Sequence, residues 1–295
     1  MKQIALKALA KINLGLDVLG RRANGYHDVR MVMQSIYLYD DVKIERTEKK
    51  GIEVRTNLYF LPTDENNIAY KAAAMMIREF AIQEGVIITL DKHIPVAAGM
   101  AGGSSNAAAV LFGMNRMFGL GLSQKDLMER GVKLGADVPY CIMRGTVLAE
   151  GIGEELTVLP AMPRCTVLVA KPAISVSTKV VYEALDAKEI LKHPDIEALI
   201  AGLEQGSLPD IAAAMGNVLE DVTIPMYPVI EDIKNEMKAA GALNAMMSGS
   251  GPTVFGLFEN KAQARKAQDK IREKALAKQV YVTNIHGARR IEYGA

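Results

Sequence analysis

Apolar and polar positions alternate along residues 2–19, and this period of two predicts a strand or two. A turn-rich stretch follows at residues 20–27, where Asn24-Gly25 is a strong hairpin signal. Strand-like runs recur at residues 30–38, 41–46 and 51–55. The period then lengthens. Ile68, Ala72, Met75, Met76 and Phe80 fall near one face of a helix, which predicts a helix over residues 67–80. Residues 86–90 read as a strand and 91–103 as a loop, and an alanine-rich helix starts near Ser105. Ser123-Gln-Lys-Asp126 places a cap residue three positions before an acid, the signature of another helix start.

The second half repeats none of this. Residues 165–170, 254–258 and 280–285 read as strands, and residues 177–186, 208–215, 228–239 and 261–277 as helices. Pro160, Pro163 and Pro172 crowd the region between the halves, so a domain boundary is expected near residue 160, giving domains at 1–160 and 161–295. Strands and helices mix without a regular βαβ period, which predicts an α+β fold.

Composition narrows the function classes. The 295 residues are 49% hydrophobic and 23% charged, with 35 Lys and Arg against 34 Asp and Glu. A net charge of +1 gives no reason to expect a nucleic-acid or membrane partner. Lys2 and Lys7 interrupt the apolar N-terminus, so no signal peptide is expected there, and no run approaches the ~18 apolar residues of a membrane span. The expectation is a cytoplasmic protein. Cys141 and Cys165 have no metal-like spacing and read as small buried apolar residues of a reducing compartment.

The most informative segment is the loop of Pro95, Val96, Ala97, Ala98, Gly99, Met100, Ala101, Gly102, Gly103, Ser104 and Ser105. A strand ends, glycines follow, and a helix starts at once. Glycines let backbone N–H groups approach an anion closely, and a helix start adds unpaired donors and the positive end of its dipole. Ser104, Ser105 and Asn106 are expected to add side-chain donors and to cap the helix. The loop lacks the Lys-Ser or Lys-Thr of a P-loop and the spacing of a dinucleotide fingerprint. Elsewhere, Lys11 and Asn13 share one face of a strand. Asp137 sits in a short loop before Pro139, and Ser248-Gly-Ser-Gly-Pro-Thr253 forms a second glycine loop before an apolar strand. Gly25-Tyr26-His27 puts an aromatic pair on a turn. No His-Glu-x-x-His, Cys-x-x-Cys or Gly-x-Ser-x-Gly is present, so metalloprotease and serine-hydrolase chemistry lose their usual support.

Together these segments resemble the GHMP kinase superfamily. The segment from Pro95 to Ser105 is similar to its nucleotide loop, P-x-x-x-G-L-G-x-S-S-A-A, and Ser248-Gly-Ser-Gly-Pro252 to its C-terminal glycine motif. Ala10-Lys-Ile-Asn-Leu14, Gly20-Arg-Arg22, Gly25-Tyr-His27, Gly135-Ala-Asp-Val-Pro139 and Met247 to Pro252 narrow the resemblance to the branch that phosphorylates a diphosphocytidyl-linked sugar alcohol. Met100 and Ala101 depart from the Leu-Gly usual in the loop.

The resemblance implies a two-domain α+β fold: an N-terminal domain similar to ribosomal protein S5 and a ferredoxin-like C-terminal domain, with the active site in the cleft between. It implies Lys11 and Asp137 as the catalytic pair and ATP triphosphate on residues 95–105. Adenine is expected near Asn67 and Asn115. The cytidylyl substrate is expected on Asn13, Tyr26 and His27, with Tyr182 covering the second face of the base. ATP and Mg²⁺ are the implied co-substrate and cofactor, and a small molecule the implied partner. The sequence names no protein ligand for Mg²⁺ and no oligomeric state. It leaves two other readings open: a homoserine- or mevalonate-type kinase, and a catalytically silent ligand sensor on the same fold.

Overall fold

The computed structural model describes residues 1–287 except Glu189 and Leu191. The predicted second domain also includes residues 288–295, which lie outside the described residues. The chain divides into two compact units. One holds Met1–Ala10, Leu38–Val96 and Ala101–Met143; the other holds Lys11–Tyr37, Ala97–Met100 and the chain from Arg144 on. Strand β1 (Gln3–Arg21) leaves the first unit after Ala10, and β2 (His27–Thr47) re-enters it at Leu38.

In the first unit, β3 (Ile52–Thr56) is followed by α1 (Ile68–Glu79), β4 (Gly85–Asp91), α2 (Gly102–Phe118), α3 (Gln124–Val132) and α4 (Val138–Met143). β4 is central. It pairs antiparallel with β2 over Asp41–Thr47 and parallel with β3. Val42, Ile44, Val86, Ile88 and Leu90 are buried, as alternation on a half-covered sheet requires. Helix α1 packs on α2 through Ala69, Ala72, Ala73 and Met76. On α2, Gly113 allows the helix to lie close to the strands. A Cβ there would meet Ile44 Cδ1 at 2.5 Å and Leu6 Cδ1 at 3.1 Å. Ser123 and Asp126 form the expected capping box at the start of α3.

The second unit adds β5 (Thr146–Glu150), β6 (Glu155–Val158), β7 (Thr166–Lys171), α5 (Thr178–Asp186), α6 (Ile196–Gln205), α7 (Leu208–Ala214), β8 (Gly216–Asn217), α8 (Glu220–Met226), α9 (Val229–Ala239), β9 (Asn244–Met247), β10 (Val254–Phe258), α10 (Lys261–Glu273) and β11 (Gln279–Asn284). Four of these strands form an antiparallel sheet in the order β11-β7-β10-β9. Counted along the chain that order is fourth, first, third, second, the expected ferredoxin-like arrangement. Helices α9 and α10 pack on this sheet. β7 and β10 read as continuous apolar runs because nearly all their residues are buried. Both cysteines are buried and outside any disulfide, and burial pushes the Cys165 thiol up to about 12. Among the described residues no helix is long and apolar enough to cross a membrane.

Three sequence expectations are corrected. Residues 30–38 and 41–46 are one strand, β2, without a break. α2 starts at Gly102 rather than near Ser105. Helices α4, α6 and α8 and strands β5, β6, β8 and β9 were not expected.

The continuity of β2 has a specific cause. Asp40, which reads as a strand breaker, is wholly buried. Its carboxylate accepts from the Lys92 ammonium and from Asn106 Nδ2 at 2.9 Å, and from the His93 and Ile94 N–H groups at 2.7 and 2.8 Å. Lys92 also donates to Asn106 Oδ1 at 2.8 Å. Lys92→Met leaves this buried carboxylate without its counter-charge and is expected to cost about 3 kcal/mol in urea unfolding. A loss below about 1 kcal/mol would show that the backbone and Asn106 donors suffice.

Candidate active site

The helix that follows the first glycine loop begins without help from side chains. Its N-cap, Ala101, has φ 56° and ψ 28°, and no side chain caps the first turn. The first α-type bond is Ser105 N–H to Ala101 O at 2.8 Å. The N–H groups of Gly102, Gly103 and Ser104 therefore have no intrahelical acceptor. The expectation that Ser105 and Asn106 supply donors to the loop is corrected. Ser105 Oγ donates to Leu9 O at 2.7 Å, and Asn106 is buried against Asp40 and Lys92. What the loop presents is backbone, together with the half-buried Ser104 side chain.

The central part of the same loop, Ala97–Met100, is held by the second glycine loop. Ser248 Oγ donates to Gly99 O at 3.1 Å. The approach is so close that a Cβ on Gly99 would lie 2.2 Å from Ser248 O, and one on Gly249 would lie 3.4 Å from Gly99 Cα. Gly99 and Gly249 also have positive φ, 70° and 59°. Asn217 braces this second loop by donating to Met247 O and Gly249 O at 2.9 and 2.8 Å. Glu220 accepts the Met247 N–H at 2.7 Å. Thr178 and Ser250 share a hydroxyl bond at 2.8 Å. The Ser248 loop, which alone reads as a turn, is thus a clamp on the first loop.

Lys11 is only 5% exposed, although a strand lysine usually snorkels to water. Its Nζ donates to Asn13 Oδ1 at 2.7 Å, and its N–H donates to Met100 O at 3.2 Å. Asn13 in turn points Nδ2 at Met31 Sδ, 3.5 Å away. A buried ammonium with a neutral partner is costly for stability alone, which marks it as a functional candidate. In the first unit, Asp137 is half-buried at the start of α4, and its main-chain oxygen accepts the Cys141 N–H at 3.0 Å. No described residue of its own unit takes its carboxylate. Pro139 lies in the first turn of α4, where its missing N–H costs nothing.

The two asparagines expected near adenine hold local structure. Asn67 caps α1, accepting from Ala69 N–H at 2.9 Å and donating to Pro62 O at 2.8 Å. Asn115 clasps Leu122 with both ends of its amide, at 2.9 and 3.0 Å. Around the hairpin turn, Tyr26 is 59% exposed. His27 opens β2. Its ring lies 4.7 Å from that of Tyr182, tilted by 41°, and its Nε2 lies 2.6 Å from Asp186 Oδ1. Tyr182, expected to cover the second face of the base, thus stands beside His27.

Residues 67–145 match the GHMP kinases N terminal domain, and residues 199–277 match GHMP kinases C terminal. The chain is 56% identical over 283 residues to 4-diphosphocytidyl-2-C-methyl-D-erythritol kinase of Lachnospira eligens, covering 96% of this chain and 98% of that one. A crystal structure of 4-(cytidine 5'-diphospho)-2C-methyl-D-erythritol kinase superposes with a TM-score of 0.83 at 31% identity, covering 97% of this chain and all of the other. The chain belongs to the 4-diphosphocytidyl-2-C-methyl-D-erythritol kinase family. A homoserine kinase from Cytophaga hutchinsonii, 23% identical with a TM-score of 0.77 over 97% of this chain and 95% of its own, shares the fold.

For a member of this kinase family, one contact escaped sequence reasoning, and one departure noted in the sequence acquires its geometry. Asp186 reads as a solvated residue at a helix end, and only α5 folding beside the hairpin brings it to His27. Ala101 departs from the family's glycine at a position whose φ is left-handed. These left-handed residues give opposite expectations. Ala101→Gly removes a strained Cβ and is expected to raise stability by about 0.5–1 kcal/mol. Gly99→Ala adds one against Ser248 O and is expected to lower it by about 2 kcal/mol or more. Paired denaturant titrations check both signs; equal shifts in one direction would contradict the assignment.

Proposed function

We infer that the chain transfers the γ-phosphoryl group of ATP to the 2-hydroxyl of 4-diphosphocytidyl-2-C-methyl-D-erythritol, a step of the non-mevalonate isoprenoid pathway. The observation that carries this reading is the 56% identity to a kinase of that name over nearly the full length of both chains. ATP as phosphoryl donor goes with a cytoplasmic reaction. The division into residues 1–160, with the nucleotide loop, Lys11 and Asp137, and residues 161–295 goes with the same reading.

The acceptor oxygen sits on a carbon that also bears a methyl group, and an alcohol does not ionise at neutral pH. Transfer therefore needs an oriented hydroxyl, a proton acceptor, and neutralised charge on the phosphoryl oxygens. In the proposed mechanism Asp137 orients the hydroxyl and accepts its proton. Its unpaired state within its own unit supports this role. Lys11 stabilises negative charge on the reacting oxygens, and its burial beside a neutral partner supports that. The N–H groups of Gly102, Gly103 and Ser104 receive the triphosphate, as the uncapped start of α2 suits an anion. Ser105 contributes by shaping the turn, since its hydroxyl proton is already engaged. An adenine contact by the Asn67 or Asn115 side chain would have to share the amide bonds that each already makes.

No three His, Cys, Asp or Glu side chains gather as a metal site among the described residues. That donor set fits Mg²⁺ arriving on ATP, because Mg²⁺ keeps several waters and binds through phosphates with one or two carboxylates. Mg²⁺ would neutralise phosphate charge, held mainly by the ATP phosphates themselves. Asn13, Tyr26, His27 and Tyr182 are proposed for the cytidylyl substrate, with the exposed ring of Tyr26 as one stacking surface.

The test is ADP release with Mg-ATP and three acceptors in turn: the diphosphocytidyl sugar alcohol, homoserine and mevalonate. The reading expects turnover of the first only; preference for either of the others would replace it. Asp137→Asn, which keeps shape but cannot take a proton, is expected to lower kcat by about 10²-fold or more with little change in KM. Wild-type kcat in that variant would remove Asp137 from the mechanism. Gly103→Ala separates binding from folding. A Cβ there meets only Ile68 Cγ2 at an ordinary 3.5 Å, so the variant should fold as wild type. It is expected to raise KM for ATP by about tenfold and leave the other substrate's KM alone. An unchanged ATP KM would mean that phosphate does not approach Gly103.

A further inference from the structure

The hairpin turn and α5 meet through three side chains. Tyr182 and Asp186 are four residues apart on α5, so they share one face of the helix. Both touch His27, one ring against ring and the other through Nε2. His27 is largely enclosed, with 10% of its side chain exposed, while Asp186 keeps 26%. The second carboxylate oxygen of Asp186 lies 3.3 Å from Arg21 Nη1, on the other strand of the hairpin. The imidazole is therefore fixed both in position and in hydrogen-bond polarity. An ionised carboxylate only accepts, so the ring nitrogen facing it must carry the proton. In the neutral ring that leaves Nδ1 as an acceptor.

We propose that Asp186 is a positioning residue that sets the base preference of this enzyme by holding His27 in its Nε2–H tautomer. The inference rests on the cytidylyl reading of the hairpin given above. Cytosine carries an amino donor at the edge where uracil carries a carbonyl acceptor. An acceptor Nδ1 facing that edge pairs with cytosine and opposes a uracil carbonyl, leaving two acceptors unpaired against each other. Discrimination built on an unpaired polar group is large compared with that from stacking, which accepts either pyrimidine. Asp186 touches no substrate in this scheme; it acts through His27. Tyr182 keeps the ring from turning over, which would exchange the two nitrogens.

Asp186→Asn tests the polarity directly, because the amide nitrogen can donate where the carboxylate could only accept. Its shape is that of the aspartate and its site is partly open, so folding should be unaffected. With an amide donor facing Nε2, the proton moves to Nδ1, and the nitrogen offered to the base becomes a donor. The measurement is kcat/KM for 4-diphosphocytidyl-2-C-methyl-D-erythritol and for its uridine counterpart, on wild type, Asp186→Asn and Asp186→Glu. The expected result for Asp186→Asn is a loss of about tenfold or more in the preference for cytosine. That loss should be carried by KM, with kcat for the cytidylyl substrate within about twofold, since the phosphoryl-transfer groups are untouched. Asp186→Glu, which restores the acceptor, should recover most of the preference. Nitrogen-15 spectra of the His27 ring at mildly alkaline pH give a reading free of substrate: Nε2 protonated in wild type, Nδ1 protonated in Asp186→Asn.

Wild-type turnover of the cytidylyl substrate with an unchanged preference in Asp186→Asn would overturn the inference alone. So would a wild-type spectrum with Nδ1 protonated. Failure of wild type to use the cytidylyl substrate at all would overturn the functional reading, and the base-setting role with it.

Discussion

The first turn of an α-helix leaves its N–H groups without helical acceptors, and among the described residues no side chain supplies a replacement at the start of α2. Most helices of this protein do not leave that need open. Asn67, Ser123, Ser177, Asp195, Ser207 and Asn260 each cap a helix with a side-chain oxygen. At α2 the cap residue is Ala101, which has no such oxygen and is held in a left-handed conformation. The side chains that might have turned back to the loop are engaged elsewhere, Ser105 with Leu9 and Asn106 with Asp40. The helix start is thus a set of oriented backbone donors with a need for an external acceptor. A phosphate chain would meet that need, as proposed above, and the glycines at 102 and 103 leave the approach open.

The remaining parts of the proposed site follow the same logic of groups left unsatisfied by the fold. The Lys11 ammonium is buried with a neutral amide as its side-chain partner, and the Asp137 carboxylate is not engaged within its unit. By contrast, the buried pair of Lys92 and Asp40 is fully supplied with partners, and its work is to hold β2 against the loop after β4. Two buried lysines therefore carry opposite meanings, and the difference lies in what each ammonium faces.

Much of this was legible in the sequence because local rules decide it. The capping box at Ser123 and the helix beginning after Asn67 follow from residue chemistry over a few positions. Order along the chain sufficed to relate the two glycine loops to one kinase family. What stayed hidden depends on partners far away in sequence. Asp40 reads as a break in β2 until Lys92 and Asn106 satisfy it, fifty-two and sixty-six residues on. Asp186 reads as a solvated helix end until His27 meets it, one hundred and fifty-nine residues away. Ala101 gives no local sign of a left-handed φ, because alanine ordinarily prefers the helix that follows it.

The first turn of α2 is the proposed phosphate site, and amide hydrogen exchange reads its groups one by one. With a non-hydrolysable ATP analogue bound, the N–H groups of Gly102, Gly103 and Ser104 are predicted to exchange more slowly by about tenfold or more, while the already bonded Ser105 N–H changes little. Unchanged exchange at all three, with protection appearing elsewhere on binding, would contradict it.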